Sequence, residues 1–309
     1  WQNGASGRFY DPRRSDPQHP DASDAFCNEK YVVGILQNLG AEPLYPHSTL
    51  TPSGQDAGAV DGGYFLELCR HGGAGRTWEG GGWGVGSWTG HMAVEIMHLI
   101  DRGRDDLIPV LTAGLTAILA HQNPTTGLWG DDDAPLLHAL GGALKVHGRL
   151  HYVLGVDNLP YMDRLADTLI ARGDQWIHVG NGHPCAGRNA VELMCVCLES
   201  SAYRRDDLFY ALDRLAQQYE AVTRQDEVPY AAEYALSMLA AYLHWRDTPY
   251  PGHGAADGPR GAGSTGRLRF DTATRRVVFE TTASHEDVAD RPAAAPIPTQ
   301  REVDRCPGP

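Results

Sequence analysis

The chain has 309 residues, a hydrophobic content of 42% and a formal charge of −13. That is long and apolar enough to bury a full core, and the acidic balance excludes a nucleic-acid partner, which needs clustered Lys and Arg. No apolar run reaches the roughly 18–20 residues of a bilayer span.

The opening "WQNGASG" carries neither an initiator Met nor a signal-peptide pattern, so it does not reveal the compartment. Residues 2–12, "QNGASGRFYDP", read as a polar turn. Helical periodicity follows and predicts nine helices, near 24–39, 59–70, 87–101, 104–121, 134–154, 160–172, 187–200, 205–224 and 228–246. Clusters of Gly, Pro and Asn separate them. Residues 71–90, "HGGAGRTWEGGGWGVGSWTG", read as a long loop, because glycine at this density opposes regular structure. The loop holds Trp78, Trp83, Trp88 and an isolated Glu79.

Residues 122–135, "QNPTTGLWGDDDAP", form a turn around Trp129. Asp131 belongs to the turn, Asp133 stands where a helix cap is needed, and Asp132 is left without a local duty. His147 and His151 lie four apart on the next helix, as pocket lining or as a core pair. The segment "WIHVGNGHPCAGRN" offers His178, Asn181, His183, Arg188 and Asn189. The cysteines, Cys27, Cys69, Cys185, Cys195, Cys197 and Cys306, form no C-x-x-C pair and read mostly as buried thiols. Residues 251–266 are a linker. The alternation in 267–282, "RLRFDTATRRVVFETT", predicts a β-hairpin. A lone two-stranded ribbon is marginal in water, so it is a candidate contact between copies of the chain. The Pro-rich remainder to residue 309 is an extended tail.

An internal repeat organises residues 1–250 into copies at about 1–121 and 122–247. Gln2-Asn3, Gly7, Phe9 and Asp11 match Gln122-Asn123, Gly127, Trp129 and Asp131. Lys30 matches Lys145, "MAVEIM" at 92–97 matches "NAVELM" at 189–194, and "RDDL" occurs at 104–107 and 205–208. Residues shared by both copies are assigned to packing. Glu95 and Glu192 are among them, each with a polar residue four positions earlier, His91 and Arg188. Repeated helical hairpins cannot bury their apolar faces alone and must stack. The Gln-x4-Gly-x-aromatic turn resembles the QW-type turn of the α/α toroids of terpene cyclases and prenyltransferases, one residue longer than the usual form. The resemblance implies an all-α fold, an α/α toroid of helical hairpins. Nine helices are fewer than the twelve of a six-hairpin ring, so the ring is incomplete or continues upstream of Trp1.

The same toroid carries many glycoside hydrolases and polysaccharide lyases. The leading reading is a glycoside hydrolase acting on an oligosaccharide, with Glu79 as acid and Asp132 as base or nucleophile. Trp78, Trp83, Trp88 and Trp129 would be sugar platforms, and His91, His147 and His151 would line the pocket. A lyase would instead use Asn181, His183 and Arg188 to neutralise a uronate and remove its α-proton. A terpenoid cyclase is disfavoured by an aromatic content of 8% and by missing Asp motifs. A non-catalytic helical-repeat binding protein is the remaining alternative. No cofactor or metal is expected: there is no P-loop, no dinucleotide fingerprint, and the His147-x3-His151 pair lacks the zincin glutamate.

Overall fold

Apolar residues at helical spacing become seven helices longer than one turn in the computed structural model, which describes residues 36, 62–73, 77–156, 159–223 and 266–281. They are α1 (Gly62–His71), α2 (Trp83–Asp101), α3 (Ile108–Leu119), α4 (Leu136–Gly148), α5 (Met162–Arg172), α6 (Pro184–Ser200) and α7 (Arg205–Thr223). A π-helical turn, Arg149–Val153, extends α4. Among the described residues no helix is long and apolar enough to cross a membrane. The expected helix 228–246, the linker, the tail, the turn at 2–12 and nearly all of helix 24–39 lie outside the described residues.

The helices form two layers. In the first, α2, α4 and α6 run parallel. A side chain at Gly86 would meet Val146 and Lys145, and one at Gly90 would meet Lys145 and Arg149, so contacts advance together along α2 and α4. Likewise Leu137 lies against Gly180, and His151 at the far end bonds Glu199. The second layer, α1, α3, α5 and α7, runs the opposite way. Phe65 of α1 packs on Gly114 of α3, and Asp167 and Asp174 of α5 and the turn after it pair with Arg204 and Arg214 at α7. Each layer is therefore a stack of equivalent helices.

The glycine-rich segment 71–90 is not one long loop. Its second half is the first two turns of α2. Gly82, Gly86 and Gly90 recur every four residues and so share one side of the helix. A methyl group at Gly86 would come within 3.2 Å of Val146 Cγ2, and at Gly90 within 3.0 Å of Arg149 Cγ. Glycine lowers helix propensity, but here it lets two helices approach closely enough to bury the seam between them.

The repeated sequences occupy equivalent places. "MAVEIM" lies on α2 and "NAVELM" on α6; the two "RDDL" segments open the helices that follow, in the turn before α3 and in α7. Their aspartates do not cap through side chains. They pair with arginine, Arg104 with Asp106 and Arg204 with Asp207. The finer repeat is one helical hairpin of about fifty residues, half the spacing of the "RDDL" pair.

Strands β1 (Gly266–Asp271) and β2 (Arg276–Thr281) form the expected antiparallel hairpin. Leu268, Phe270 and Val277 are buried, with β1 against α3. Arg275 donates to the Ile100 carbonyl and pairs with Asp105 at 3.2 Å. The apolar side that suggested a second copy is thus covered by the hairpin's own chain.

Candidate functional site

The connections at the N-terminal ends of α2, α4 and α6 gather on one rim. Each second-layer helix that reaches this rim ends in carbonyls with no helical partner. An indole supplies the donor every time. Trp78 Nε1 donates to Leu68 O at 3.2 Å, Trp129 Nε1 to Ile118 O at 3.2 Å, and Trp176 Nε1 to Leu169 O at 3.0 Å. All three rings are fully buried. Trp78 also stacks on His121, ring centroids 5.0 Å apart. Burial holds the His121 imidazole below the usual histidine range, against the opposing pull of the Cys69 and Arg70 carbonyls. Trp78 and Trp129, expected as sugar platforms, are core residues with no open face.

The 122–132 turn is a wedge between α3 and α5. Gln122 Nε2 donates to Gly127 O at 2.9 Å. Asn123 Oδ1 accepts from Thr125 N and Thr126 N, and Asn123 Nδ2 donates to Gly130 O and to Asp132 Oδ1, the latter at 2.9 Å. Asp132 therefore has a local duty after all. Asp133 does not cap α4, whose first residue follows Pro135 with no side-chain bond. At the tip, Gly127 has φ 70° and lies so close to α5 that a side chain there would strike Leu165 N at 2.4 Å. Behind the wedge sits His147, 0% exposed, edge-on to Trp129 and 3.4 Å from Gln122 Nε2. Burial drives its pKa down to about 3. His147 is a neutral core residue and lines no open pocket.

Trp83 is the tryptophan placed differently. It begins α2 and lies across α4, on the side of α4 turned away from His147 and the second layer. Gly141 forms its seat: a methyl group there would sit 2.5 Å from Trp83 Cδ2. The edges of His138 and His183 meet the indole, with centroids 5.9 and 5.7 Å away. The ring is half-buried. His183 Nδ1 accepts from Cys185 N at 3.2 Å and caps α6. Its neutral ring therefore carries the proton on Nε2 and acts as a donor there. His138 is a site residue that sequence reasoning does not single out; only Trp83 crossing α4 gives it a role.

Glu79 and Asp132 are both exposed and lie on adjoining turns of the rim. Asp131 N donates to Glu79 O at 3.1 Å, which ties the two turns together. The 81–82 turn is clamped as well. Gly142 packs so closely that a methyl group there would be 2.0 Å from Gly81 O.

The other expected site residues sit further down the first layer. Trp88 is half-buried on α2. His91 Nε2 accepts from Arg149 Nη2 at 3.4 Å. Arg188 bonds Glu192 at 2.6 Å, the helix pairing the sequence suggests. His151 bonds Glu199 across to α6. The side chain of Asn181 lies outside the described residues. Among the described residues, no three His, Cys, Asp or Glu side chains are grouped to hold a metal ion. Comparison of the chain with family models, with curated proteins and with solved structures finds no match.

Proposed function

We propose that this chain is a carbohydrate-active enzyme, a glycoside hydrolase whose cleft lies on the rim where α2, α4 and α6 begin. One observation carries the reading. A half-buried indole seated on Gly141 shares the rim with two exposed carboxylates on turns joined by the Asp131–Glu79 backbone bond. A flat apolar ring beside paired carboxylates is what glycosidic cleavage needs, one group to bind the sugar face and two to move protons or attack carbon. Glu79 is assigned as the acid. Asp132, oriented by Asn123 Nδ2, is the base or nucleophile. The two layers of parallel helices correspond to an arc of an α/α toroid, and closure of that arc into a ring is part of the same proposal.

The lyase alternative is weaker on two observations. Arg188 is held by Glu192, and His183 presents a donor rather than a base at Nε2. The test is a glycan panel assayed for released reducing ends. Glu79→Gln and Asp132→Asn should each slow turnover by about 10²–10⁴-fold, and Trp83→Ala should weaken substrate binding. Unchanged rates in both carboxylate variants, or unsaturated products absorbing in the ultraviolet, would sink the hydrolase reading.

A further inference from the structure

Four cysteines lie among the described residues, all as free thiols. Cys69, Cys195 and Cys197 are buried, and burial pushes each thiol up, Cys195 to about 12. They stay protonated and shielded. Cys185 differs. It is half-buried in the first turn of α6, and its backbone N–H is bonded to the imidazole that meets Trp83.

One turn further along the same side of α6 is Asn189, 4% exposed, whose Nδ2 has no hydrogen-bond partner. Residues four apart on a helix are neighbours, and helical side chains lean toward the helix start. The Asn189 amide is therefore directed at the Cys185 side chain. A buried donor without an acceptor is costly, and a thiol sulfur is only a weak acceptor. An oxygen atom on that sulfur is a strong one.

We propose that Cys185 is an oxidant-sensitive modification site, converted by a hydroperoxide to a sulfenic acid whose oxygen accepts from Asn189 Nδ2. The thiolate sulfur attacks one peroxide oxygen. The S–O bond forms as the O–O bond breaks, and the sulfur gives up two electrons. The leaving oxygen takes the proton the thiol released and departs as water or an alcohol. The site is independent of the hydrolase reading, because the test reads sulfur rather than turnover.

The test uses the full chain with Cys27→Ser and Cys306→Ser. It is treated with hydrogen peroxide in the presence of a 1,3-dione that traps sulfenic acids, and labelling is followed by peptide mass spectrometry. Label should appear on Cys185 about tenfold faster than on Cys69, Cys195 or Cys197, as accessibility requires. Asn189→Leu, which keeps the volume but removes the donor, should slow labelling of Cys185 by about threefold or more. Asn189→Asp, which keeps the shape, should slow it likewise, and circular dichroism checks that each variant is folded. Labelling of Cys185 no faster than the buried thiols, or equal in the parent and whichever variant folds, would overturn the proposal.

Discussion

His147 offers the sharpest quantitative test. The ring is completely buried against Trp129 and Gln122, and burial lowers its pKa to about 3, with the Gly127 carbonyl opposing and His151 adding to the shift. In the unfolded chain the same imidazole titrates near 6.5, the ordinary histidine value. The folded value is the lower one, so between them the unfolded state binds more protons. Stability must then fall as pH drops below about 6.5, and the loss is complete only near the folded value. Between pH 7 and pH 5 the difference in proton binding amounts to about 2 kcal/mol from this one residue. The assay is urea unfolding at several pH values in the parent and in His147→Leu. The chain has 14 histidines, so only the difference between the two profiles isolates this ring. The variant should lose about 2 kcal/mol less than the parent over that range. Parallel profiles would refute the account of a neutral imidazole locked behind the wedge.

Three other outcomes are expected. Gly142→Ala puts a methyl group 2.0 Å from Gly81 O and 3.0 Å from Gly82 C. Backbone must move, so stability should drop by about 1–3 kcal/mol in a thermal melt, with a change in tryptophan fluorescence as Trp83 shifts. Trp129→Phe leaves Ile118 O without its indole donor, and the missing bond alone should cost about 1–3 kcal/mol in chemical denaturation. Arg275→Ala should scarcely alter the melt, since the ion pairs it loses are solvated and worth about 0–1 kcal/mol. It should raise hydrogen exchange in β1 and β2 and leave α2 and α3 unaffected; equal exchange in parent and variant would mean the arginine does not pin the hairpin.

The helices were largely legible because their apolar spacing is a local property. The predicted 160–172, 187–200 and 205–224 differ from α5, α6 and α7 mainly at their ends. What misled was glycine. Its low helix propensity argues for a loop at 82–90, whereas the packing of α2 on α4 outweighs that local preference. The signal was present in the spacing of Gly82, Gly86 and Gly90, and in Gly141-Gly142 on the facing helix. The site was less legible. Trp78, Trp83 and Trp129 are chemically identical in sequence, and only the carbonyl ends of α1 and α3 distinguish the two that must be buried from the one that is not. Spacing alone could have pointed to this, because Trp78, Trp129 and Trp176 recur at nearly the hairpin length. Asp132 shows the converse error. A residue without a counterpart in the other copy looked idle, but Asn123 reaches it from nine positions away, which no local pattern records.

The indole bonds to Leu68, Ile118 and Leu169 have a wider meaning. Each hairpin carries its own closing device, so a module can be gained or lost without redesigning its neighbours. The positions just beyond each of these tryptophans are then free to diverge, and a scaffold of this kind can trade one rim chemistry for another while its framework stays the same.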